Sequence, residues 1–114
     1  MQTEGLVNNQ ELRRYEYYID GQLAAFEDYT LTGSTLSLIH TEALPGFSGT
    51  GAAKNMVRGI LQEAHANGLQ VLPFCGYVAR FIGKHAEQFL HLVPSDKRAS
   101  FNLPADAGHS THID

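Results

Sequence analysis

Pro45-Gly46-Phe47-Ser48-Gly49-Thr50-Gly51-Ala52-Ala53-Lys54 is the stretch that decides how this chain is read. It is a glycine-rich turn that runs straight into an amphipathic helical pattern, and a strand-like segment, Thr35 to Glu42, leads into it. Glycine lets a backbone approach a ligand closely, and the unpaired N–H groups of a helix start attract phosphate oxygens. The run therefore reads as a phosphate cradle. Two common cradles fail on spacing. A nucleotide-triphosphatase loop places lysine and a hydroxyl residue directly after its last glycine. Gly46 and Gly51 have that separation, but Ala52 and Ala53 stand in those two positions. A dinucleotide fold needs G-x-G-x-x-G inside a parallel βαβ unit. Counted from Gly49, the third glycine falls on Lys54, and the preceding strands read as an antiparallel meander.

That meander is built from tight turns. Arg13 to Ile19 holds three tyrosines and an isoleucine, which suits a strand. Asp20-Gly21 supplies the positive φ angles of a hairpin, and Gln22 to Leu31 returns. Thr32-Gly33-Ser34 turns again into Thr35 to Glu42, where period-two alternation puts Leu36, Leu38 and His40 on one face. From Thr50 to Asn67 the apolar residues Ala52, Ala53, Met56, Val57, Ile60, Leu61 and Ala64 recur at three-and-four spacing, and Asn67-Gly68 ends the helix. Gln70 to Phe74 is a short buried strand, parallel to the third because a helix connects them. Tyr77 to Glu87 predicts a second helix and Gln88 to Val93 a last short strand. Residues 1–11 read as a polar lead-in, residues 12–93 as the domain, and residues 94–114 as a polar tail.

The 114 residues suffice for one modest core, and 43% apolar with 18% charged content is ordinary for a globular chain. A net charge of −4 speaks against a nucleic-acid partner. The single cysteine, Cys75, forms no internal disulfide, and a reducing cytoplasm is the expected compartment. No apolar run reaches membrane-spanning length, so no membrane partner is expected. His109 and His112 stand three apart without a third ligand, and no metal site is expected.

Taken together, His40-Thr41-Glu42, Gly49-Thr50-Gly51-Ala52, and Pro73-Phe74-Cys75-Gly76-Tyr77-Val78 with the trailing Phe81 and Lys84-His85 carry a specific likeness. With the Asp20-Gly21 hairpin, the chain resembles the minimal single-domain branch of the GNAT acetyltransferase superfamily, the YjdJ-type domains. The likeness covers roughly Arg13 to Glu87. It implies an α/β (α+β) fold: a mostly antiparallel sheet with a central strand-helix-strand crossover, a second helix, and two splayed parallel strands that form a CoA cleft. It implies acetyl-CoA as co-substrate, with the pyrophosphate on Ser48, Gly49, Thr50, Gly51, Ala52 and Ala53. The pantetheine arm then lies along Ile39, Thr41 and Glu42, and Phe81, Lys84 and His85 stand on the second wall with Cys75 and Tyr77. The superfamily pattern opens on Arg or Gln where this chain has Ser48, which leaves the phosphate contacts to backbone N–H groups. Lys54 and Arg80 also lie near the implied phosphate site.

Acetyl transfer from a thioester needs a neutral nucleophile, a stabilised oxyanion and a proton for the leaving thiolate. Backbone N–H groups around Thr41 can serve the oxyanion. His40 or Glu42, two apart on a strand and so on one face, can accept the amine proton; a half-buried histidine beside an exposed glutamate is the structural alternative. Cys75 precedes a helix start, whose dipole favours thiolate, and can carry an acetyl group or grip the CoA thiol; a plain core cysteine is the alternative. Tyr77 can protonate the leaving thiolate or simply pack under its helix. The expected function is an N-acetyltransferase acting on an amine acceptor, a protein lysine or N-terminus or a small amine. A non-catalytic CoA or acyl-CoA-binding module and a scaffold domain are the alternatives.

Overall fold

The antiparallel meander set up by the two tight turns is present, and it carries one strand more than expected. The computed structural model describes residues 3–107. Strands β1 (Glu4–Asn9), β2 (Arg14–Ile19), β3 (Gln22–Thr32), β4 (Thr35–Ala43) and β5 (Gln70–Pro73) form one sheet in sequence order. The first four are antiparallel, and β5 joins β4 in parallel. Asp20 and Gly21 take φ of 51° and 81°, the positive pair that a tight hairpin demands. Helix α1 (Ala52–Ala66) makes the crossover. It buries Met56, Val57, Ile60 and Leu61 completely against the sheet residues Leu36, Leu38 and Val71. Helix α2 (Gly76–Lys84) follows β5.

Three expectations are corrected. The supposed lead-in is β1, whose pairing runs from Glu4 opposite Ile19 to Asn9 opposite Arg14. Its side chains are mostly exposed, so it shows the polar composition of an edge strand held by backbone bonds rather than by burial. The expected strand over Gln88 to Val93 is helical: α2 breaks at His85, and α3 (Ala86–Phe89) and a 3-10 turn (Leu90–Leu92) succeed it. Phe89, Leu90, Leu92 and Val93 are buried, so the apolar run belongs to the core as its composition implies, but in a helical rather than an extended form.

The polar segment after Pro94 is the third, being ordered as far as Leu103. It forms a 3-10 helix (Ser95–Phe101), Phe101 meets Phe74 edge-on at 5.3 Å, and Leu103 is buried. Arg98 fastens it by donating to the carbonyl oxygens of Val93 (2.9 Å) and Ala105 (2.6 Å). Replacing Leu103 by alanine is therefore expected to destabilise the domain by about 2 kcal/mol, measurable by denaturant unfolding; an unchanged midpoint would mean the segment is undocked. His109 and His112 lie outside the described residues. Among the described residues, no helix is long and apolar enough to cross a membrane, and no cluster of three or more metal-ligating side chains is formed.

Candidate functional site

Two irregularities of β4 create the site. Its parallel pairing with β5 covers only Thr35 to Leu38. One further bond, from the Cys75 N–H to the Leu38 carbonyl at 2.9 Å, closes the shared edge. Beyond it β4 runs on to Ala43 while the chain of β5 turns away into α2, so the two strands part. The second irregularity is a bulge. Asp28 stands opposite His40 and Tyr29 opposite Leu38, which leaves Ile39 without a partner.

The bulge corrects one sequence expectation. Leu36 and Leu38 face the core, but His40 does not join them: the extra residue reverses the alternation, and His40 is 55% exposed in its side chain. His40 and Glu42 share the outer face, with Nε2 and Oε1 2.8 Å apart. The Glu42 hydrogen bond, with its carboxylate charge, raises the imidazole pKa. Ile39 is also exposed. Thr41 is turned the other way, inward. Its hydroxyl meets the Cys75 Sγ at 3.1 Å and donates to the Glu27 carboxylate. Strand β4 thus separates two polar groupings: His40–Glu42 on its open face, and Glu27–Thr41–Cys75 on its covered one.

Sequence reasoning does not single out Glu27. It is completely buried, and its Oε2 has no hydrogen-bond partner. Burial pushes its carboxyl up to about 7, against the lowering pull of the Thr41 hydrogen bond and of nearby His40. A signal exists: along β3, Ala25, Glu27 and Tyr29 share one face, so a carboxylate sits where alternation demands an apolar residue.

The glycine turn lies at the far end of the parted strands. Leu44 N–H bonds the Ala24 carbonyl (2.8 Å), Phe47 N–H the Leu44 carbonyl (2.9 Å) and Thr50 N–H the Phe47 carbonyl (3.2 Å), which fixes two successive turns. Gly49 and Gly51 take φ of 81° and 87°, a left-handed conformation, and a Cβ at either would meet no protein atom within 4 Å. Gly51 caps α1, and no side chain caps it. The first intrahelical bond runs from Asn55 N–H to the Gly51 carbonyl at 2.9 Å. Of the earlier N–H groups, that of Ala52 meets the Thr50 hydroxyl at 3.3 Å, and those of Ala53 and Lys54 are left without an intrahelical acceptor at the helix start.

Beside the helix start is a hollow of about 370 Å³, lined by Ala43, Phe47, Ser48, Gly49, Gly51, Ala52, Ala53, Lys54 and Tyr77. Lys54 and Tyr77 also line a smaller hollow of about 110 Å³ with Arg80, Phe81, Lys84 and His85. The two make one groove from the glycine turn to α2, edged by three cations. Cys75 caps α2, and Tyr77, in the first turn, has its phenol pKa raised chiefly by burial. Phe81 is mostly core: it is buried, lies 4.5 Å from the His85 ring and has the Arg58 guanidinium 5.2 Å over its face.

A family model described as GCN5-related N-acetyl-transferase matches residues 14–92, more than half of the chain. The chain belongs to the GCN5-related N-acetyltransferase family. Among solved structures, the ribosomal-protein-S18-alanine N-acetyltransferase from Escherichia coli is similar in fold, with a TM-score of 0.52 at 13% identity over 62% of this chain. This chain spans 64% of that protein's length. No curated protein matches it in sequence. The GNAT architecture expected from the sequence is the one observed: a mostly antiparallel sheet, a strand-helix-strand crossover and parallel strands that part beside a helix start.

Proposed function

We propose that this GNAT domain, a minimal one of the YjdJ type, binds acetyl-CoA and transfers its acetyl group to an amine. The observation that carries the proposal is the parting of β4 from β5 directly beside an uncapped, glycine-led helix start. The CoA pyrophosphate is assigned to the N–H groups of Ser48 to Ala53 other than those of Thr50 and Ala52, which the Phe47 carbonyl and the Thr50 hydroxyl already hold. Lys54, Arg80 and Lys84 neutralise the remaining phosphate charge along the groove. The pantetheine arm takes the edge of β4 over Ile39 to Glu42, which β5 leaves unpaired, and the thioester then arrives between Thr41 and Cys75.

At that point N–H groups on the edge of β4 around Thr41, which the parting from β5 leaves unpaired, donate to the oxyanion. Tyr77, protonated at neutral pH and with its phenol pKa raised further, supplies the proton to the leaving CoA thiolate. The His40–Glu42 pair, open to solvent on the outer face, takes the proton from an approaching amine, directly or through water. A reducing cytoplasm fits the unpaired Cys75.

The test is transfer itself. Acetyl-CoA is offered with N-terminal peptides, lysine peptides and small amines, and both free CoA and acetylated product are followed by mass spectrometry. Stoichiometric product and CoA are expected for one acceptor class. Binding without turnover on any would favour a non-catalytic CoA module, the reading that Ser48 supports by withholding a cation from the cradle. Ser48→Arg is accordingly expected to tighten CoA about tenfold, for roughly 1.4 kcal/mol from one charge-assisted contact, as read by calorimetric titration. Unchanged affinity would show that position 48 does not face the phosphates.

A further inference from the structure

We propose that Glu27 receives the Cys75 thiol proton through the Thr41 hydroxyl, so that Cys75 carries the acetyl group between CoA and the acceptor. The relay rests on the CoA reading for its substrate but on its own geometry for the proton path. A threonine hydroxyl has one hydrogen. With Glu27 ionised, Thr41 donates that hydrogen to it, so the 3.1 Å contact with Cys75, in which either atom can donate, then has the thiol as donor, and all three groups are aligned for transfer in one direction. Glu27 is completely buried, and its second oxygen has no partner. A packing role does not require a carboxylate there, since Ala25 and Tyr29 fill the flanking positions with apolar surface. Burial also poises the carboxyl near 7, where it can both take and return a proton.

Besides the Thr41 hydroxyl, the His40 backbone N–H acts on the Glu27 carboxylate, and it carries no exchangeable path to Cys75. Strand β2 places Tyr15 opposite it, and the face that α1 buries against the sheet is apolar. His40 and Asp28 are the charged neighbours that act on it through space.

The step balances. The Sγ–H proton moves to the Thr41 oxygen as the Thr41 proton moves to Glu27. The sulfur attacks the thioester carbon, the C–Sγ bond forms and the bond to the CoA sulfur breaks, releasing CoA thiolate. An acceptor amine then attacks the acetyl-cysteine carbon, the C–Sγ bond breaks, and Glu27 returns its proton through Thr41 to the thiolate. Tyr77 protonates the departing CoA thiolate, and the amine proton, taken up by the His40–Glu42 pair, returns through solvent to Tyr77, so free CoA thiol and amide are the products. Glu27 touches no substrate atom; it is a positioning and proton-holding residue.

Iodoacetamide alkylation of Cys75, the only cysteine, tests the path on the full chain without CoA. For the wild type, the rate against pH is expected to show an inflection near neutrality in addition to that of the thiol itself. Glu27→Gln, which keeps the shape and removes the titration, is expected to abolish the inflection and slow alkylation at pH 7 by tenfold or more. Thr41→Val should do the same, and Thr41→Ser should restore it. An unchanged profile in Glu27→Gln, or in Thr41→Val, overturns the proposal. A second measurement separates this from the CoA reading. Intact mass after brief exposure to acetyl-CoA is expected to show one acetyl increment on wild type and none on Cys75→Ala. If CoA binds but no increment forms at any pH, the relay is overturned while the CoA reading stands. If CoA does not bind, the alkylation profile still decides the proton path.

Discussion

Gly51→Val is expected to lower CoA affinity by a hundredfold or more while the domain stays folded. Gly51 has φ 87° and ψ 2° at the N-cap of α1. A residue with a Cβ is disfavoured there by roughly 1–2 kcal/mol, and a β-branched one more. The turn must relax toward negative φ, which swings the N–H groups at the helix start away from the groove. Each charge-assisted hydrogen bond to phosphate is worth about 1.5–3 kcal/mol, so removing two exceeds the hundredfold mark. The added side chain also projects into space that no protein atom occupies. Gly33→Val is the control: it strains the β3–β4 hairpin at φ 60°, at the opposite end of the sheet from the glycine turn. Titration calorimetry should find CoA affinity abolished in the first variant and kept in the second. Equal weakening in both would mean that general destabilisation, not the cradle, sets binding.

The second large effect is a stability that falls with rising pH because of Glu27. A carboxyl held at about 7 in the folded chain, against an unperturbed 4.5, keeps its proton in the native state where the unfolded chain has released it. In that window the native state binds more protons, so stability decreases as pH rises. The penalty is absent below about pH 4.5, grows through neutrality and is complete above pH 7. A shift of this size corresponds to about 3 kcal/mol. Because Glu27 is fully buried, solvent does not screen that penalty away. Between pH 5 and 8.5, wild-type stability is expected to drop by about 2.5 kcal/mol more than that of Glu27→Gln, in matched urea unfolding series. Parallel curves for the two proteins would mean that Glu27 titrates at an ordinary value.

Much of the fold is legible because its punctuation is chemical. Asp20-Gly21, Thr32-Gly33-Ser34 and Asn67-Gly68 each mark a real boundary. The apolar stripe from Ala52 to Ala64 discloses α1 directly, since no other arrangement buries those residues together. Strand β1 is hidden because an edge strand that packs little more than Leu6 against the core needs no sustained apolar alternation, only backbone partners. The Leu90–Val93 run misleads because a few buried apolar residues do not distinguish a strand from a helical turn.

The site is half legible. Glycines and the helix pattern disclose the turn, and the His40–Glu42 pairing follows from strand period. The bulge at Ile39 does not follow, since no residue there announces an extra position, and it decides which side chains face inward. Glu27, some fourteen positions from Thr41 in sequence, becomes its neighbour only through the β3–β4 register. Tertiary pairing, not local sequence, writes that contact.

The most direct test of the central claim is a thermal-shift titration of the whole chain with CoA and acetyl-CoA, with ATP and NAD as controls. At a hundred times the dissociation constant, a ligand stabilises a two-state domain by ~2.7 kcal/mol, a rise of several degrees. A saturable rise with CoA and acetyl-CoA, and none with the controls, is the predicted result. No shift at millimolar CoA would contradict it, and the parted strands would then be a scaffold rather than a cofactor cleft.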